Sequence, residues 1–149
     1  MLIRKFDKGD RAAFTLMHRD FYSSPAVVHG ITEVKRQLIF DTIVNGSPYL
    51  DGYIFLEDDG KGPKGYALVA RGYSTEAGGP SVWLEELYIA PRARGQGLAS
   101  EFLEFLLKNY KDAKRFALEV SPNNIDVVRL YMRHGFLKSE YIQFINDTE

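Results

Sequence analysis

No cysteine occurs among the 149 residues, which excludes disulfides, Cys-ligated zinc, iron–sulfur clusters and a cysteine nucleophile together. Histidine is scarce. His18, His29 and His134 stand too far apart for an HxxxH pair, so no metal site is expected. No stretch approaches the roughly 18 apolar residues of a membrane-spanning helix, and Met1–Phe6 runs into Asp7, Lys8 and Asp10 without a signal-peptide core. A cytoplasmic protein with no membrane contact is expected. An excess of charge of either sign is also lacking: 19 Lys and Arg face 20 Asp and Glu, a formal net charge of −1. No global field draws the chain to nucleic acid, and any basic site must be local.

What is present suits a packed core, since 45% of residues are hydrophobic, among them 10 Phe and 9 Tyr. The length predicts a single domain over 1–149. Residues 2–6 read as a strand, and Asp10 as the N-cap of a helix with Phe14, Met17, His18 and Phe21 on one face. His18 on that stripe reads as a hydrogen-bonded core histidine. The apolar loop 22–31 precedes Thr32, which caps a second helix running to about Val44. Three strands with polar turns follow, about 49–57, 65–73 and 82–90, an antiparallel meander. The pattern then alternates: helix 97–110, strand 115–120, helix 124–134 and a last strand over roughly Phe136–Ile145. One mixed α/β sheet with a parallel crossover accounts for this order.

The segment Tyr88-Ile-Ala-Pro-Arg-Ala-Arg-Gly-Gln-Gly-Leu-Ala-Ser100 ends a strand, turns on Arg and Gly, and starts an amphipathic helix. Gly95 and Gly97 let backbone amides turn toward a phosphate, the helix start offers unpaired N–H groups, and Arg92 and Arg94 add charge. Gly95, Gly97 and Ser100 partly imitate the GxGxxG dinucleotide fingerprint, with Glu119 near the ribose-binding position. The chain after Gly97 is too short for the doubly wound sheet that this fingerprint opens.

Arg94-Gly-Gln-Gly-Leu-Ala99 resembles the R/Q-x-x-G-x-G/A motif of the GCN5-related N-acetyltransferase (GNAT) superfamily. Asn124-Ile-Asp-Val-Val-Arg-Leu-Tyr131 with Gly135-Phe136 resembles its N-x-x-A-x-x-L-Y-x-x-x-G-F segment, Val127 standing where Ala is frequent. Leu84–Ile89 is similar to the family's fourth strand, so the likeness covers residues 82–136. It implies an α+β fold, a mostly antiparallel sheet flanked by helices whose central strands splay apart. It further implies acetyl-CoA as donor, with its pyrophosphate on Arg94, Gly95, Gln96, Gly97, Leu98, Ala99 and Ser100. The pantetheine would run along Leu87, Tyr88 and Ile89, and Asn124 would face it. The loop with Tyr22 and His29 would border the acceptor.

The resemblance makes the reaction direct attack of a primary amine in a ternary complex, as the lack of cysteine also requires. Tyr131 takes the position of the acid that protonates the leaving thiolate, whose own pKa lies near ~8.5. The amine must lose a proton, and Glu86 or Glu119 is the expected base or water relay. Glu85 and Glu86 point to opposite faces of their strand unless a bulge intervenes, and Glu85 is expected to hold a cationic acceptor. A polyamine-like amine, a peptide N-terminus or an aminoglycoside all suit these residues. The alternative is a non-catalytic acetyl-CoA sensor or docking module. The sequence carries no signal for oligomeric state, and a homodimer is the commonest assembly.

Overall fold

The computed structural model describes residues 1–148. Its single sheet runs in the order β1 (Leu2–Lys5), β2 (Leu50–Leu56), β3 (Gly65–Ser74), β4 (Gly79–Ile89), β5 (Arg115–Leu118). The first three pairings are antiparallel and β4 with β5 is parallel. Helices α1 (Arg11–Tyr22) and α2 (Glu33–Val44) precede β2, while α3 (Leu98–Asn109) forms the crossover and α4 (Ile125–Arg133) follows β5. Among the described residues no helix is long and apolar enough to cross a membrane.

Strand alternation divides the core between the two faces. Ile54, Tyr66, Leu68 and Tyr88 pack against Phe14, Met17, Phe21 and Phe40 of α1 and α2. Tyr53, Phe55, Ala67 and Val69 face the other way, onto Phe102, Leu103 and Leu106 of α3. The parallel partner β5 is half-buried on that second side, with Phe116 and Leu118 packed there.

Two local expectations need correction. Thr32 caps α2 as read, accepting from the Lys35 amide at 3.2 Å, but Asp10 makes no cap bond to α1. Its carboxylate turns back to accept from the Asp7 amide at 2.8 Å and from Arg4, closing a capping box on the 3-10 turn Lys8–Asp10. The last strand, Phe136–Ile145, does not form. A strand needs a neighbour for its backbone groups, and after the Phe136 amide bonds Tyr131 O the segment finds no backbone partner among the described residues. Leu137, Ile142 and Phe144 stay exposed, and the Tyr141 hydroxyl instead donates to Glu76 at 2.6 Å.

Candidate active site

The site grows from an irregularity in β4. Leu68 pairs with Glu86 but Val69 pairs with Leu84, so Glu85 is one residue too many and forms a β-bulge. The extra residue reverses the alternation. Val82 and Leu84 face α3, and Glu86 would follow them; instead Glu86 and Tyr88 face α1 while Leu87 and Ile89 take the α3 side. The two adjacent glutamates therefore do not simply oppose each other, which resolves the expectation in favour of the bulge.

Glu86 is buried, 9% exposed. Its carboxylate accepts from the Tyr66 hydroxyl at 2.7 Å and the Tyr22 hydroxyl at 3.3 Å, and His18 Nε2 lies 3.2 Å from Oε1 and 3.3 Å from Oε2. No Lys or Arg among the described residues pairs with it. Burial, followed by the Glu86 charge, pushes the Tyr22 phenol up to about 12 and that of Tyr66 well above its ordinary value, so both remain donors. Burial first, then the charges of Glu119 and Glu86, raise the neighbouring Glu85 carboxyl. A buried carboxylate that meets no Lys or Arg leaves room for one positive charge from a ligand.

Beside the bulge the sheet opens. β4 and β5 pair only from Ser81↔Arg115 to Leu84↔Leu118, after which β4 continues to Ile89 paired with β3 alone. The Arg71 amide bonds Tyr49 O just before β2 and the Ala90 amide bonds Lys64 O. Antiparallel alternation then points the backbone groups of Leu87 and Ile89 away from β3, toward the vacated edge. Arg94 Nε donates to Ile89 O at 2.9 Å, which brings its guanidinium to the mouth of this opening, 6.0 Å from the Tyr88 ring.

At the same mouth Gly95 and Gly97 adopt φ of 76° and 79°. That left-handed backbone carries the chain from the 3-10 turn Pro91–Ala93 into α3. Gly97 is the N-cap and provides no side-chain partner, and the first helical bond is Glu101 N–H to Gly97 O at 3.0 Å. The amides of Leu98, Ala99 and Ser100 are thus left for an external anion. Gln96 is exposed in the same turn. Arg92 is committed elsewhere, donating to the carbonyls of Lys61, Gly62 and Pro63.

Tyr131 packs on the α3 side, against the cluster that holds Leu87 and Ile89, and meets Phe136 edge-on at 5.9 Å. Burial pushes its phenol up to about 12. The Tyr131 hydroxyl makes no hydrogen bond to another described residue and is not fully buried. Asn124 is half-buried at the start of α4, its side chain free of any cap bond. Glu119 follows β5 and is exposed, close enough to act on Glu85. His29 lies in the exposed stretch before α2, outside the hydrogen-bonded cluster around Glu86.

Sequence reasoning missed Tyr66, which is hidden in an apolar strand run, and Arg36, which reads as an ordinary helix-surface residue. Neither pattern carried a local signal. Glu86 faces α1 and Tyr131 packs on the α3 side of the sheet.

A mixed sheet that parts between β4 and its edge strand β5, beside a glycine-rich helix start, defines an α+β class of protein, and sequence comparison narrows it. The acetyltransferase (GNAT) family model matches residues 14–136, and the chain belongs to that family. The spermine/spermidine N(1)-acetyltransferase of Bacillus subtilis (strain 168) is 33% identical over 86 residues, 56% of this chain and 56% of that protein. The chain thus aligns with about half the length of its curated relatives. Among solved structures, the aminoglycoside N-acetyltransferase AAC(6')-Iy in complex with a CoA bisubstrate analogue superposes with a TM-score of 0.79 at 18% identity, over 99% of this chain and 97% of that one. A transcriptional regulator from Bacillus halodurans C-125 does so equally, TM-score 0.79 at 20% identity, over 98% and 99%. These structural likenesses establish the fold.

Proposed function

We propose that the protein is an acetyl-CoA-dependent N-acetyltransferase acting on a cationic primary amine of the polyamine kind. The observation that carries this is Glu86, a buried carboxylate with only neutral donors around it, set where the sheet opens. A protonated amine supplies the missing charge, and Glu85 and Glu119 extend the acidic surface for a second ammonium group. The similarity to a spermine/spermidine acetyltransferase supports the same acceptor class.

The residues present fit the donor. The amides at the start of α3 and Arg94 suit its pyrophosphate, and the Leu87 and Ile89 backbone suits the amides of its pantetheine arm. Asn124 would line that arm. Bound acetyl-CoA supplies an activated thioester. Glu86 takes a proton from the ammonium, directly or through water near Glu119, and frees the lone pair that forms the new C–N bond as the C–S bond breaks. Tyr131, held protonated near 12, lies well above a thiol's ~8.5. Outright transfer to the thiolate is therefore uphill, and Tyr131 acts by donating a hydrogen bond to the departing sulfur. The sulfur leaves as a thiolate and takes up the second proton that the nitrogen sheds as the amide forms, so the products are an acetamide and free thiol.

Thiol release from acetyl-CoA, followed with a thiol-reactive dye across polyamines, amino acids, aminoglycosides and short peptides, tests the reading. The chain has no cysteine to add background. Release that depends on polyamines supports it. Release with another class only overturns the acceptor, and silence together with a raised Tm on adding acetyl-CoA favours a binding module.

Two variants separate the roles. Tyr131→Phe is expected to lower kcat about 100-fold with donor affinity unchanged, and unaltered kcat removes Tyr131 from the chemistry. Gly97→Ala places a side chain at φ 79°, a conformation that costs an L-residue ~1–2 kcal/mol. Calorimetric titration should find CoA bound about tenfold more weakly, because the amides turn away when that strain relaxes.

A further inference from the structure

Behind Glu86 lies a chain of buried polar contacts that the reaction above does not use. Arg36 of α2 is 7% exposed and His18 of α1 fully buried. Arg36 Nε donates to His18 Nδ1 at 2.9 Å. A guanidinium has no acceptor, so Nδ1 must be the lone-pair nitrogen and the proton sits on Nε2, facing both oxygens of Glu86. Arg36 is fixed in turn by Glu33, whose carboxyl is held down near 2 by bonds from Arg19, Gln37 and Arg36. His18 is clamped flat between neighbours, stacked on Tyr22 with ring centroids 4.7 Å apart and tilted against Phe14 at 4.9 Å.

We infer that Arg36 and His18 are positioning residues that keep Glu86 an unpaired carboxylate aimed at the acceptor. This rests on the reading of Glu86 as the proton acceptor. The physical content is in what Arg36 forbids. With Nδ1 occupied, the imidazole cannot take a second proton and become a cation that would neutralise Glu86 in the acceptor's place. Nor can it flip to the Nδ1–H tautomer, which would turn a lone pair on the carboxylate. The other groups facing Glu86 are Tyr22 from α1, Tyr66 from β3 and Glu85 beside it in β4, with Glu119 beyond Glu85. None of these is a permanent cation, so the ammonium of the substrate remains the one positive charge the site is built to receive.

The test compares Arg36→Met, His18→Leu, His18→Gln and Glu86→Gln in the full chain. Arg36→Met and His18→Leu should lower kcat/KM for the amine about tenfold or more, while KM for acetyl-CoA stays within about twofold. His18→Gln, whose amide N–H can stand in for Nε2–H, should recover most of that loss. Nitrogen NMR of labelled imidazole should show His18 as the Nε2–H tautomer at neutral pH, and loss of that fixed tautomer in Arg36→Met. Normal turnover in Arg36→Met and His18→Leu beside an inactive Glu86→Gln overturns the positioning role alone. An imidazolium or Nδ1–H tautomer in the unaltered protein does the same, and needs no variant to fold. A fully active Glu86→Gln overturns the assignment of Glu86 and this role with it.

Discussion

Replacing Glu86 with Gln is expected to lower kcat with a polyamine acceptor by about 10²–10³-fold, the usual loss when a positioned base is removed, without lowering Tm. The two halves of this expectation come from the same geometry. Glu86 is buried and receives donors from Tyr66, Tyr22 and His18 but no formal cation. A buried charge so compensated is expensive to hold in the empty protein. Gln has the same shape, its carbonyl oxygen accepts as before, and either tyrosine hydroxyl can rotate to accept from its amide. Removing the charge therefore spares the fold a buried ion, which offsets the contact between the amide NH2 and the His18 Nε2–H, while it removes both the proton acceptor and the counter-charge for the ammonium. KM for the amine should rise alongside the fall in kcat. A structural carboxylate behaves in the opposite way, with Tm falling and turnover per folded molecule kept. Thermal melting and thiol release on the same preparation distinguish the two, and kcat within about twofold of the unaltered enzyme would remove Glu86 from the mechanism.

Elements with strong periodicity were legible in the sequence because one face of each is buried. Phe14, Met17, His18 and Phe21 mark α1, and Leu98, Phe102 and Leu106 mark α3. The glycine turn was legible for another reason: positive φ at Gly95 and Gly97 is a local demand that only glycine meets at little cost. What stayed hidden depends on partners distant in the chain. The bulge at Glu85 exists only in the register of β4 against β3, so alternation along β4 alone cannot say which glutamate turns inward. His18 was readable as a satisfied core histidine, but its partners Arg36 and Glu86 lie 18 and 68 residues away. The segment 136–145 fails as a strand for the complementary reason. Its β-prone residues pair with neither the open stretch of β4 nor the outer edge of β5 among the described residues, and without a ladder the extended conformation has nothing to hold it.

Gly65→Ala is the substitution expected to harm both fold and site, because this glycine sits where two strands approach too closely for any side chain. An ideal Cβ there would stand 2.1 Å from the Tyr88 carbonyl oxygen and 3.0 Å from Phe55 Cδ2. The first contact is with backbone, so it cannot be relieved by rotating a side chain. Gly65 pairs with Ile89, and relief requires the end of β4 to move outward from β3, into the opening that its Leu87 and Ile89 edge lines. Overpacking of this kind costs ~1–3 kcal/mol, and the upper end applies where backbone must yield, which for a domain of this size lowers Tm by roughly 6–12 °C. The same movement displaces the strand groups proposed to bind the pantetheine arm, so affinity for CoA should fall along with stability. Gly30→Ala is the matched control: a Cβ at Gly30 meets nothing within 4 Å and its φ lies outside the left-handed region. It should leave Tm and CoA affinity unchanged. If Gly65→Ala melts with the unaltered protein and binds CoA normally, β3 and β4 are not packed as closely at this point as the structure places them, and the strand edge assigned to the donor must be drawn elsewhere.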